Sequence, residues 1–343
     1  MPAINGAIYD LGQDYLLETK GLTIKFEARS STLLGKAATF SAVENCNFGV
    51  RGGEVVSLVG ESGCGKTTLG KAMIGLIRPT YGTVLYGGKD IWGLKGRDYY
   101  EFRRNAQIIH QDPYSSLHPI KRVYEIVSSG MRYYKLCSSE GEIRDKVSEL
   151  LNLVGLNPPE YFMNKYPHQL SGGQRQRVAI ARAISLNPKF VVADEIVTMI
   201  DVSLKIGVLN LLLDLRKRMG SSFLFITHDF GVARYFAEGG RTAVMYLGSM
   251  AEIGKTEELI NEPLHPYTKA LLSAVPITDP VLAKKRKMLE LRKIDPPNPV
   301  NPPPGCKFSD RCPFAMEGKC DKSAPELIEA KPEHLVACYL YAS

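Results

Sequence analysis

Gly60-Glu61-Ser62-Gly63-Cys64-Gly65-Lys66-Thr67-Thr68 is the stretch whose reading decides the fold. It has a glycine, four further residues and then Gly-Lys-Thr, the spacing of a phosphate-binding P-loop. Glu54-Val55-Val56-Ser57-Leu58-Val59 before it reads as a buried strand, and Leu69-Gly70-Lys71-Ala72-Met73-Ile74-Gly75-Leu76-Ile77 after it as a helix. Strand, glycine loop and helix together form the context that turns such a match into a site. Glycines let backbone N–H groups converge on phosphate oxygens, and the helix N-terminus adds a positive dipole. Lys66 can neutralise the β- and γ-phosphates of ATP, and the Thr67 hydroxyl can ligate Mg²⁺. The plainer alternative, a glycine-rich turn that merely opens a helix, has the flanking pattern against it. At Cys64 the phosphate would use the backbone N–H, so its thiol is read as incidental.

A chain of 343 residues can bury a large core and form two or three structural units. Hydrophobic content of 44% with 23% charged residues is ordinary for a globular protein. No apolar run approaches the ~20 residues needed to span a bilayer. Met1 to Asp14 carries acidic residues and no basic n-region, unlike a signal peptide, so a cytoplasmic location is expected. The net charge of +7 favours an anionic partner or reflects a mild surface excess. Cys46, Cys64 and Cys137 are scattered, whereas Cys306, Cys312, Cys320 and Cys338 crowd into the last part of the chain. In a cytosolic protein such crowding suggests a metal site more than disulfides.

Residues 15 to 88 look strand-rich, with alternation such as Leu22-Thr23-Ile24-Lys25-Phe26. Residues 97 to 188 look mainly helical, interrupted at Gln111-Asp112-Pro113. Phe190-Val191-Val192-Ala193 then reads as a strand, 204 to 219 as an amphipathic helix, and Ser222-Phe223-Leu224-Phe225-Ile226 as another buried strand. This alternation implies parallel strands joined by helices, an α/β fold. Composition changes after Gly254, and the six prolines between Asp295 and Gly305 predict a stiff extended connector.

Further pieces of a site lie beyond the P-loop. The strand at Phe190 ends in Asp194-Glu195, and ligands of parallel α/β sheets collect at strand C-termini. An Asp there suits Mg²⁺, and a Glu beside it suits a general base for an attacking water. His228 follows the next strand, where a lone histidine is more often structural. Ser171-Gly172-Gly173-Gln174 opens a helix that continues to Ile184. It offers a second set of exposed N–H groups for phosphate, or else a simple N-cap.

Taken in order, the P-loop at Gly60, Gln111, the Ser171 segment, Asp194-Glu195 and His228 resemble the ATP-binding cassette (ABC) ATPases over most of residues 16 to 254. The resemblance implies a P-loop NTPase domain with a mixed sheet core, an antiparallel β subdomain and a helical subdomain near 97–188, occupying 1–254. A small C-terminal extension then occupies 255–343. It also implies two such domains packed head to tail, with Ser171, Gly172, Gly173 and Gln174 of one closing on the ATP held by the other. ATP would be gripped by Gly60, Glu61, Ser62, Gly63, Cys64, Gly65, Lys66, Thr67 and Thr68, with Gln111 touching Mg²⁺ and sensing membrane subunits. Mg²⁺ would be held through Thr67, Gln111 and Asp194, with Glu195 as base and His228 holding the water near the γ-phosphate. Phe26 is the candidate for stacking on adenine, with Tyr15, Phe40 and Phe48 as alternatives.

Tyr166-Pro167-His168-Gln169-Leu170, Pro263-Leu264-His265-Pro266-Tyr267-Thr268 and Pro304-Gly305-Cys306-Lys307-Phe308 running into Arg311-Cys312-Pro313-Phe314-Ala315 resemble the oligopeptide/dipeptide importer branch. That branch implies a second, different ATPase subunit, two membrane-spanning permeases and an external substrate-binding protein. The ATPase would work at the cytoplasmic face of the membrane, with no nucleic-acid partner. Peptide and oligosaccharide cargo both stay open. Similar ATPases carry a [4Fe–4S] cluster on such a tail, so Cys306, Cys312, Cys320 and Cys338 are expected to hold one, with zinc or disulfides as alternatives. The chain departs from the family after Glu195, where Ile196-Val197-Thr198-Met199-Ile200 replaces a proline and small residues before Asp201 of the D-loop. That puts in doubt whether both composite ATP sites are equal. The rival reading is a soluble ABC ATPase with an Fe–S cluster acting on ribosomes or nucleic acid.

Overall fold

The computed structural model describes residues 15–27, 39–198, 202–275 and 289–342. Asp201, with Met199 and Ile200, lies outside the described residues, as does the Met1 to Asp14 stretch. The described strands begin with β1 (Tyr15–Glu27), β2 (Thr39–Arg51), β3 (Val55–Val59), β4 (Tyr81–Tyr86), β5 (Lys89–Asp90) and β6 (Ala106–Ile109). They continue with β7 (Phe190–Asp194), β8 (Ser222–Thr227), β9 (Arg241–Tyr246), β10 (Ser249–Lys255), β11 (Ile328–Lys331) and β12 (His334–Val336). The chain divides into two compact units, Met1–Arg51 with Val55–Trp92 and Thr227–Ser343, and Gly52–Glu54 with Gly93–Ile226.

In the first unit, β2-β1-β4-β5 form an antiparallel sheet. Leu17, Leu22 and Ile24 are buried, as are Val43, Phe48 and Val50 of the facing strand, across register shifts in β1. A second run of strands in this unit follows the order β11-β12-β10-β9-β3. β3 and β9 are parallel, whereas β9 to β11 are joined antiparallel through β10 and β12. All five residues of β3 are buried, as expected for a strand covered on both faces.

The C-terminal extension is therefore part of the unit that carries the P-loop strand. Its β12 pairs with β10, with Val336 opposite Glu252. Glu252 is fully buried and anchors the join, accepting N–H bonds from Leu264 (2.7 Å) and His265 (2.9 Å) and facing His334 Nε2 at 2.7 Å. Phe308 and Cys312 from the tail pack with Tyr246, Tyr267 and Phe230 in one apolar cluster. The proline-rich stretch 295–305 forms no helix or strand.

The second unit contains β6, β7 and β8, all parallel. Its helices are mainly the expected ones, among them Val123–Tyr133, Glu140–Leu153 and Gly172–Ile184, followed by Val202–Met219 beyond β7. The departure is β6, a strand inside a stretch that reads as helical apart from Gln111-Asp112-Pro113. Ala106 to Ile109 gives only four residues of signal, and the helix Gly96–Asn105 runs directly into it. Pairing with β7 decides the conformation there.

Candidate nucleotide site

The P-loop is shaped by glycines that have no substitute. Gly65 sits at φ 106° as the cap of the helix Lys66–Met73, and a Cβ there would lie 2.0 Å from Ala42 O. A Cβ on Gly60 would lie 2.2 Å from Met245 O. The loop thus threads between β2 and the end of β9, with the N–H groups of the helix start aimed along its axis. Lys66 is 4% exposed, and its Nζ donates to Gly60 O at 2.8 Å and Glu61 O at 2.9 Å, which sets the ammonium over the loop. Thr67 and Thr68 are half-buried, while Ser62 and Gly63 are exposed. Burial raises the pKa of the Cys64 thiol despite the opposing charge of Lys66, so the group stays protonated at neutral pH.

Glu61 has partners that no local motif reveals. Its N–H donates to Tyr267 Oη at 2.9 Å. Its carboxylate meets Arg311 at 2.9 and 3.0 Å, and Arg311 Nη1 also donates to Tyr246 Oη at 3.3 Å. Burial works against the Arg311 charge, but the bonds to Glu61 and Tyr246 outweigh it and hold the guanidinium more firmly protonated than usual. A separation of 250 residues between Glu61 and Arg311 explains why no spacing rule finds the pair.

A cavity beside Gly63 is lined by Phe40, Ala42, Gly248, Val300 and Lys307. Phe40 is the aromatic that lines it. Phe26 is 39% exposed and packs beside Phe40, with ring centres 6.1 Å apart. His228 is exposed at the end of β8, just before Asp229, whose carboxylate caps the following short helix.

The second unit brings Gln111 and Glu195 together. Gln111 Nε2 donates to Glu195 Oε2 at 3.1 Å. Asp194 is 3% exposed at the end of β7. Glu195 adopts φ 45°, a left-handed conformation unusual for a side chain of its size, and its N–H bonds Ile226 O at 3.0 Å. Ile196 and Val197, the departures from the family run, are buried.

Ser171 caps the helix Gly172–Ile184 by a reciprocal bond. Its Oγ accepts from Gln174 N at 3.3 Å, and its own N–H donates to Gln174 Oε1 at 3.0 Å. Ser171 and Gly172 are exposed, and the first turn has no acidic residue. The oxygen thus serves the helix as its cap, and accepting that bond does not use the donor capacity of the exposed hydroxyl.

Cys306, Cys312, Cys320 and Cys338 line one pocket in the tail. Burial pushes the Cys306 thiol up to about 12 and raises Cys312 and Cys338 as well. Each sulfur accepts a backbone N–H, from Phe308, Phe314, Met316 and Leu340 respectively, and such bonds stabilise thiolates. The donor set suits a four-thiolate centre in number and chemistry. Even so, among the described residues no three His, Cys, Asp or Glu side chains form a group that could hold a metal ion.

Residues 43–198 match the ABC transporter family, and residues 251–320 match the C-terminal region of oligopeptide/dipeptide transporters. YkfD of Bacillus subtilis (strain 168), a candidate oligopeptide transport ATP-binding protein, is 48% identical over 95% of each chain. The oligopeptide transport ATP-binding protein OppF of Haemophilus influenzae is 42% identical over 95% of this chain and 97% of its own. Among solved structures, the ATP-binding cassette MJ0796, captured as a post-hydrolysis dimer with ADP and Pi, aligns with a TM-score of 0.61 at 30% identity. That alignment covers 70% of this chain and 98% of the cassette. None of these matches supports the alternative of an ATPase acting on ribosomes or nucleic acid. No helix among the described residues is long and apolar enough to cross a membrane. With both family models matched and relatives 48% and 42% identical over 95% of its length, the chain belongs to the ABC transporter ATPases of the oligopeptide/dipeptide branch and hydrolyses ATP to drive transport.

Proposed function

We propose that this chain is the motor subunit of an importer for oligopeptides or dipeptides, with related oligosaccharides as the alternative cargo. The similarity to oligopeptide transport ATP-binding proteins over 95% of both chains carries this reading. The subunit works at the cytoplasmic face of the membrane. It pairs head to tail with a second, different ATPase and drives two permease subunits fed by an external binding protein. ATP closes the two motors and hydrolysis reopens them, so the permeases alternate their access.

Lys66 and the N–H groups of Gly60 to Thr68 hold the phosphates and stabilise charge developing there. Glu195 takes the proton of the attacking water, and Gln111, already bonded to it, holds the carboxylate in place. His228 orients the water. Ser171, Gly172, Gly173 and Gln174 grip the partner's ATP, and Asp201 lies in the D-loop that crosses to the partner. Phe26 and its neighbour Phe40 flank the adenine. Thr67, Gln111 and Asp194 are the candidate Mg²⁺ ligands, and the ion would offset charge on the phosphates. A [4Fe–4S] cluster on Cys306, Cys312, Cys320 and Cys338, with zinc as the alternative, would be structural or regulatory, since hydrolysis needs no electron transfer.

The test is reconstitution in proteoliposomes with both permeases, the partner ATPase and the binding protein, followed by ATP-driven uptake of labelled peptides. Peptide-stimulated uptake is expected. Glu195→Gln should still bind ATP but lose about 10²-fold or more of the hydrolysis rate. Undiminished hydrolysis in that variant would remove Glu195 from the base role, and uptake of oligosaccharide alone would change the cargo.

A further inference from the structure

We propose that Arg311, on the C-terminal extension, is a positioning residue of the nucleotide site: it holds and neutralises Glu61 so that the P-loop can take up a triphosphate. The grip is two-pronged, Nη1 to Oε2 at 2.9 Å and Nη2 to Oε1 at 3.0 Å, the parallel geometry that best fixes a carboxylate. Arg311 is 5% exposed and sits over the rings of Tyr246 and Phe308, at 5.7 and 5.6 Å from their centres. Its Nε is buried with no hydrogen-bond partner, so the forked end pointing at Glu61 and Tyr246 carries the polar contacts. The backbone of Glu61 is held as well, its N–H by Tyr267 Oη and its carbonyl by Lys66 Nζ. Two side chains of the extension therefore set the second residue of the phosphate loop.

The electrostatic argument is specific. A P-loop works by presenting positive N–H dipoles and a lysine to a highly charged anion. Glu61 brings a negative charge into that same loop. Left unpaired, its carboxylate would repel the triphosphate and compete for Lys66. Paired, it is cancelled, and its rigid attachment fixes the loop. Removing one partner of such a pair leaves an uncompensated charge, whereas removing both does not.

The inference rests on the phosphate reading of Gly60 to Thr68. Equilibrium titration of the full-length protein with a fluorescent ATP analogue tests it, with thermal melting in parallel. Arg311→Ala is expected to weaken binding about tenfold, with the loss shrinking as salt rises. Adding Glu61→Gln to Arg311→Ala should bring affinity back to within about threefold of the parent, which a purely structural anchor would not do. If Arg311→Ala does not fold, Arg311→Gln, which keeps much of the stem packed on the two rings, is judged by the same criteria. A folded variant that binds as tightly as the parent, or a double variant no better than the single, overturns the proposal. Lys66→Ala separates the two levels: if it too binds at parental affinity, the phosphate reading itself fails. If Lys66→Ala loses nucleotide while Arg311→Ala does not, only the role of Arg311 fails.

Discussion

His265 sits near the start of the extension, buried, its Nδ1 accepting the N–H of Tyr267 at 3.0 Å. Burial lowers its pKa to about 4, with the Glu252 charge opposing and Lys269 reinforcing the shift. The folded state thus favours neutral imidazole. Its contribution to stability is complete above the unfolded value near 6.5 and is lost as pH falls from there toward about 4, roughly 3 kcal/mol in all. Chemical denaturation of the parent at pH 7 and pH 4.5 should show that loss, and His265→Gln should flatten the acid slope. At this scale a short run of sequence is enough to propose chemistry for residues such as Lys66, Thr67 and the pair Asp194-Glu195. It did not reveal the partners of Glu61 or Glu252, because Arg311 and His334 reach them only after the chain has folded across 250 and 82 residues.

Among the elements, the helix Gly172–Ile184 opens on Ser171, whose observed cap and proposed phosphate contact would use the same hydroxyl group. Ser171→Ala removes the oxygen that accepts from Gln174 N and should cost about 1 kcal/mol of stability, whereas Ser171→Gly should cost only a few tenths. On the proposed role of Ser171 toward a partner's ATP, both variants should depress ATPase activity of the assembled transporter, because both remove its hydroxyl. Melting temperature and hydrolysis rate measured on the two variants separate the cap from the contact. Strand and helix positions were readable wherever a pattern ran long enough, as in β3, β8 and the helix Val202–Met219. β6 was not, since a four-residue strand is fixed by its pairing with β7 more than by its own sequence. Phe26 took the adenine assignment from the family resemblance, and Phe40, one of its alternatives, lines the cavity beside Gly63.

For the molecule as a whole, the tail is the part that sequence reading treats as an appendage and the fold treats as part of the phosphate-binding unit. Its four-cysteine pocket should give a brown protein on anaerobic purification, and Cys312→Ala should abolish the colour. Colourless protein containing zinc would assign the pocket to that metal instead. Local motifs located the cysteines, but nothing in their spacing tells that Phe308, beside Cys306, closes over Tyr246 and Tyr267 next to the P-loop. The β12–β10 pairing and the Arg311–Glu61 contact also impose an order in time. Glu61 leaves the ribosome 250 residues before its counter-ion does, about 25 s at roughly 10 residues per second. During that interval the nascent chain already has its glycine loop but lacks both the arginine that neutralises it and the strand that finishes its sheet. A chain cut before residue 311 would therefore keep the glycine loop but lack both the counter-ion of Glu61 and the strand that pairs with β10.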